Sequence, residues 1–297
     1  MQEAEPTQVP VPDIDDSVYE PEHTDYTAVN NAAPIASYNA GGTLTPNEQG
    51  EYVIGNRDQF LMFLSSTTNY SGSKVLLNCD VDMRGETAQL AKSFEGTFDG
   101  NGHSIFNYQS SGGLFRGTDG SVKKLHLSGI TFADNTSAAA LASTNNGFVS
   151  DITVTADIKV KKSMTAAAGI VLVNAGTISD CAFSGAITAE NGLDNAEKAI
   201  GGITAENEGV IQNCHSLGSI NTNTSVMGGI AAKNSRTIED STNPMSISGA
   251  YYTGGIAGKN TGTVTSCKNY GAVSQKNNAD EGLAGGIAAS STGSITD

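Results

Sequence analysis

Residues 201–220 read GGITAENEGVIQNCHSLGSI, from Gly201 to Ile220. Counted from Ile203, Asn207 stands four residues on, Gly209 six, Ile211 eight, Cys214 eleven and Ile220 seventeen. The same offsets recur from Leu114, Leu141, Ile170, Ile230, Ile256 and Ile287, anchors spaced 27, 29, 33, 27, 26 and 31 residues apart. Position four is Asn145, Asn174, Asn207, Asn234 and Asn260, with Thr118 and Ser291 in the outermost units. Position six is Gly120, Gly147, Gly176, Gly209, Gly262 and Gly293, broken by Arg236. Position eight is β-branched in every unit, from Val122 to Ile295. Position eleven carries Leu125, Ile152, Cys181, Cys214, Ser241 and Cys267, and position seventeen is Ile or Val after a first Thr131.

A unit this short cannot bury its apolar side alone, whereas stacked units share a continuous core. Gly and β-branched residues are poor helix formers, and no unit shows i, i+3, i+4 periodicity, so a helical repeat is excluded. The pattern predicts an all-β fold: a parallel β-helix, or β-solenoid, with three strands per coil and coils about 4.8 Å apart. The Gly column is expected to supply positive φ at a corner. The Asn column is expected to form an amide ladder from coil to coil. Arg236, Ser241, Pro244 and Met245 depart from the pattern, so the coil holding them should be distorted.

Upstream, NRDQFLMFLSS (Asn56 to Ser66) reads as a short amphipathic helix with Phe60, Leu61, Phe63 and Leu64 inward. Such a helix would cover the exposed edge of the first coil. Lys74 to Met83 alternates like a strand, and Asp99-Gly100 and Asn101-Gly102 place turn signals at a corner. The first forty residues hold eight acids, no Lys or Arg, and five of the seven prolines; such segments stay extended and solvated. The division expected is an acidic tether over 1–45, a cap and first coils over 46–111, and repeats over 112–297.

Net charge is −15, from 31 acidic and 16 basic residues, which argues against nucleic acid and anionic membranes as partners. No apolar run is long enough to span a bilayer. Met1-Gln2-Glu3 has no features of a signal peptide, so the chain is either cytoplasmic or begins after a removed leader. The last unit stops at Asp297 before its later strands, which leaves an open edge to be covered by further coils or another subunit.

GGLFRG (Gly112 to Gly117), GGIAGKN (Gly254 to Asn260) and the G-x-[IV] turns after them resemble the GLUG repeat of bacterial surface proteins. That repeat also occurs in the non-catalytic region of some immunoglobulin A-cleaving metallopeptidases. The stretch Phe94 to Ile105 is similar to the capped start of such right-handed parallel β-helices. The resemblance covers about residues 50 to 297. It implies adhesion or display at a cell surface or in the extracellular space, and no defined reaction.

Candidate chemistry is sparse. Cys181, Cys214 and Cys267 share one inward column and read as small apolar fillers, while Cys79 lies outside the repeat. No C-x-x-C pair calls for zinc; no metal and no cofactor are expected. His126 and His215 share an outward column but sit three coils, about 14 Å, apart, too far to share an ion. Position ten reads Lys124, Asp151, Asp180, Asn213, Asp240, Ser266 and Asp297. Asp151 and Asp180 fall in adjacent coils, about 5 Å apart, close to the carboxylate separation of retaining glycosidases. The structural alternative is that these short polar residues cap their own turns, with Lys124 near enough to pair with Asp151. The acidic loops Thr188 to Ala199 and Ser274 to Ala284 lie on one side of the rod and are the expected binding face for a host glycan or surface protein. A non-enzymatic adhesion, display or spacing module is the favoured reading. A carbohydrate-active enzyme or glycan binder using the Asp151–Asp180 column is the second.

Overall fold

The computed structural model describes residues 44–133, 136–189, 198–223, 226–276 and 282–297. The acidic tether, apart from its last two residues, most of the loop Thr188 to Ala199 and the middle of the loop Ser274 to Ala284 lie outside them. From Gly112 on, each repeat unit closes one turn of a solenoid, and its segments join three parallel sheets. In the unit anchored at Ile170 these are Ala166–Ala168, Val171–Asn174, Thr177–Ser179 and Ala182–Ala189, the last two belonging to the same long sheet. Like positions pair between coils without slippage: Val171 with Thr204, Asn174 with Asn207, Ile178 with Ile211, and Ile187 with Ile220. The fold is the parallel β-helix that the repeat predicts.

Side-chain parity explains how one coil makes a core. In a strand, residues three apart face opposite sides, yet Ile178 and Cys181 are both fully buried. Asp180 between them has φ 54, and this left-handed kink reverses the parity. The same kink occurs at Lys124, Asp151, Asn213, Asp240 and Ser266, with φ between 49 and 54. Each amide from Asp180 onward donates to a carbonyl of the following coil; Asp180 to Gln212 is 3.1 Å.

The Gly column therefore has a role other than the expected one. None of its members has positive φ. A Cβ on Gly147, Gly176 or Gly209 would instead overlap the carbonyl oxygen of the column glycine one coil earlier. These corners approach backbone to backbone, and only a hydrogen fits between them. Arg236 occupies that column without interrupting the pairing of Thr237 with Val210 and Thr263. The expected distortion falls at Pro244 and Met245, which split the segment into Thr242–Asn243 and Ser246–Gly249 where the preceding coil runs unbroken over His215–Asn221. Proline has no N–H to give to the ladder.

The Asn ladder forms as expected. Amide nitrogens donate to the next coil's oxygen from Asn145 to Asn174 (2.7 Å), to Asn207 (2.8 Å), to Asn234 (2.7 Å), to Asn260 (2.7 Å) and on to Ser291 (3.0 Å). Thr118 starts it through its hydroxyl, 2.7 Å from Asn145 Oδ1. A second, shorter ladder runs Ser216–Asn243–Asn269 at 2.9 and 2.8 Å. The sequence reading did not include it, because position thirteen is apolar in earlier units (Leu127, Val154, Phe183).

The cap helix spans Arg57–Ser65, with Asn56 as N-cap accepting from the Gln59 amide at 2.9 Å. Phe60, Phe63 and Leu64 are buried, and Leu61 packs at the edge of the core. Phe63 is the hub of the first coils, its ring 5.2 Å from Tyr70, 5.5 Å from Phe98 and 6.0 Å from Phe94. Asp99-Gly100-Asn101-Gly102 does not reverse the chain. It bulges out of the strand Thr97–Phe106, whose register shifts between Asp99 and His103.

Candidate functional site

The kink that resets parity also aims the side chain at position ten outward, so Asp151, Asp180 and Asp240 are all exposed. The long sheet stacks Ser150 on Ser179 and Thr153 on Ala182, which brings Asp151 and Asp180 level in neighbouring coils as the repeat predicts. Asp180 also has a partner outside the pair. The Asn213 amide of the next coil donates to Asp180 Oδ1 at 2.6 Å. No ion pair joins Lys124 to Asp151 among the described residues. Short polar residues tolerate left-handed backbone best, so the column needs no catalytic explanation for its composition.

The histidines are likewise tied into the stack. His126 Nδ1 contacts the Thr153 hydroxyl one coil on, and His215 Nδ1 lies 2.6 Å from the Thr242 hydroxyl. Burial lowers the pKa of both; Asp80 near His126 and Asp180 near His215 oppose the shift. His103 sits 3.2 Å from Asp80, whose same oxygen accepts the Ser104 amide at 2.9 Å. Asp119 accepts from the Ser93 hydroxyl and from Asn146 at 2.6 Å, and these bonds hold its carboxyl below the ordinary carboxylate range.

All four thiols are free. Burial raises Cys79, pushes Cys267 up to about 11, and raises Cys181 well above the usual thiol value, with the neighbouring Cys214 adding to the effect. Protonated thiols are poor nucleophiles and poor metal ligands. Cys181 and Cys214 instead point at carbonyls of their own coils, Ser179 at 3.0 Å and Gln212 at 3.2 Å. Ser241 replaces Cys in that column without loss, bonding the Cys214 amide at 3.1 Å and the Glu239 carbonyl at 2.8 Å.

A recess of about 280 Å³ lies on a different face, lined by Lys198, Lys233, Lys259, Glu206, Val226 and small neighbours. Its charges differ in sign and its floor comes from another sheet, so no single repeat column marks it. Two of its lysines, Lys233 and Lys259, occupy position three of consecutive units.

A chain whose polar columns bond coil to coil around a buried apolar stack belongs structurally to the parallel β-helices. No family model matches it, and no curated protein matches it. A solved structure does: a protein from Bacteroides ovatus named as a candidate immunoglobulin A1 protease. The two share a TM-score of 0.59 and 18% identity, over 84% of this chain and 85% of that chain. The likeness is one of fold.

Proposed function

We propose that the chain is a non-enzymatic β-helix module of a bacterial cell surface or secreted protein, related to the GLUG-repeat proteins, that serves adhesion, display or spacing. The observation that carries this reading is where the chemistry-bearing side chains are spent. The Asn ladder, the His–Thr contacts and the Asp180–Asn213 bond all join one coil to the next, and the thiols are buried and protonated. Such a rod is stiff and presents regularly spaced outward columns about 4.8 Å apart. Its partner is a host glycan or surface protein. The last coil, where Leu283 and Ile295 are 47% and 45% exposed, is a face for further coils or another subunit.

Two measurements on the whole chain test this. Retention on a glycan or host-protein surface, with no turnover across a panel of acidic and neutral polysaccharides, is the expected result. Cleavage of any of these substrates that is lost in Asp151→Asn or Asp180→Asn would replace the proposal with the carbohydrate-active reading.

A further inference from the structure

We infer that the recess between the sheet holding Ala166–Ala168 and the sheet holding Val171–Asn174 (the short and the middle sheet) binds an acidic saccharide through the ammonium groups of Lys259 and Lys233, with the buried Lys198 adding positive charge beneath it. This rests on the module reading above and specifies the partner's chemistry.

The recess follows from a change of residue size along one column. In the short sheet, Ala166 pairs with Ala199, Ala199 with Val226, and Val226 with Tyr252. Ala166, Ala199 and Val226 thus form a floor of small side chains, and Tyr252 stands next in the column, beyond the recess. Ala199 and Val226 belong to a second apolar cluster, with Ala139, Leu172, Ala205 and Ala232, and Ala166 and Tyr252 pack against it. Residues of both sheets line the recess, so a ligand there touches both.

The middle sheet supplies charge. Glu206 pairs with Lys233 and Lys233 with Lys259, in three successive coils. Two lysines side by side on adjacent strands repel each other. Glu206 offsets one of them, its carboxylate 2.7 Å from Lys233 Nζ. Lys259 has no carboxylate within ion-pair distance among the described residues, and its Nζ lies 4.2 Å over the face of Tyr252. The next position in the column is Ser290, which brings no charge. From the third side, Lys198 is 3% exposed and its ammonium is held by the carbonyls of Lys162, at 3.0 Å, and Met164. Three cations thus converge on one recess of a protein whose net charge is −15.

An anion placed between Lys233 and Lys259 would remove their repulsion and make charge-assisted hydrogen bonds. The 280 Å³ volume is at the small end of ligand sites, which suits one sugar unit with the rest of the chain running out along the groove. The lining of methyl and hydroxyl groups (Thr165, Ala166, Ala199) fits a sugar ring better than a lipid chain.

The test is calorimetric titration of the whole chain with a glucuronate-containing tetrasaccharide, its uncharged reduced counterpart, and inorganic sulfate. Binding of the acidic saccharide alone is expected. It should weaken about tenfold or more in Lys259→Glu, one charge-assisted bond having been replaced by repulsion, and survive in Lys259→Arg. Melting curves confirm that each variant folds. Equal binding of the uncharged counterpart, retention of acidic binding in folded Lys259→Glu, or sulfate binding as tightly as the saccharide would each overturn the inference. A folded Lys259→Glu that still adheres to host surfaces leaves the module reading intact and sinks only this one.

Discussion

Lys124, Asp151, Asp180, Asn213, Asp240 and Ser266 share one backbone conformation, and Lys124 is the worst suited to it, since left-handed backbone costs an ordinary side chain about 1 kcal/mol. Lys124→Asn should therefore raise stability by a few tenths to about 1 kcal/mol, read as a higher midpoint in urea; a lower midpoint would mean that the lysine makes a contact of greater worth. At Asn207, truncation acts in the opposite direction. Asn207→Ala removes bonds to both Asn174 and Asn234 at once, leaving Asn174 Nδ2 on the Gly176 and Val210 carbonyls and Asn234 Oδ1 on the Arg236 amide, and should cost about 1–3 kcal/mol. The same change at exposed Asn146 loses one surface bond, to Asp119, and should cost much less. The half-buried histidines add a pH dependence. Burial holds His126 and His215 below their ordinary 6.5, so the fold prefers them neutral. Above about 6.5 both folded and unfolded chains are neutral there and that stability is fully present. As pH falls below 6.5 the unfolded chain takes up protons first, and stability drops until the depressed folded pKa is passed. The melting temperature should decline as pH falls through 6.5, and should decline less in a His126→Gln, His215→Gln double variant.

At the scale of the strand and the corner, legibility tracked the physics of each column. Apolar columns were readable because burial constrains residue type in every coil, and the Asn ladder was readable because each amide needs a like partner. The kink was misplaced: glycine suggested positive φ at Gly176, whereas Asp180 carries it. A sequence shows that a side chain is missing at Gly176, but not whether φ or a neighbouring backbone requires its absence. That distinction is testable. Gly176→Ala would press a methyl into the Gly147 carbonyl, whereas a Cβ on Gly286 meets nothing within 4 Å. The first should destabilise by 1 kcal/mol or more, on the scale of overpacking (~1–3 kcal/mol), and the second should leave the melting temperature unchanged. The acid column was placed correctly, but the repeat that aligns Asp151 with Asp180 does not show that the Asn213 amide bonds the second carboxylate. The lysine recess was invisible for a related reason: its floor and its charges come from two sheets, which no single column reveals. The cap helix was legible down to its inward residues. Removing the ring at its centre, Phe63→Ala, should cost about 3–5 kcal/mol and unfold the first coils before the rest, since stability in a solenoid is summed locally; hydrogen exchange would show the loss concentrated over residues 51–98.

The whole molecule has two unlike ends. At the start, the helix Arg57–Ser65 covers the first coils and buries Phe60 and Phe63 completely. At the other end, Leu283–Gly285, Ala288–Ser291 and Ser294–Thr296 each pair only with the coil before them among the described residues. Their outer edges offer unpaired N–H and C=O groups beside exposed Leu283 and Ile295, 47% and 45% accessible. An edge of this kind templates pairing with another chain. In the 297-residue polypeptide taken by itself, two copies meeting at this end would each cover the other's apolar rung, and because the helix covers the opposite end, association of that polypeptide should stop at a dimer rather than grow into a filament. Sedimentation of the 297-residue chain should show a monomer passing to a dimer as concentration rises. Ile295→Lys, which places a charge on the shared face, should hold it monomeric, while the capped-end variant Asn56→Ala should still dimerise. A wild-type chain that stays monomeric at every concentration would mean that the open rung satisfies its edges with water alone; growth beyond the dimer would mean that the helix fails to close the first coil.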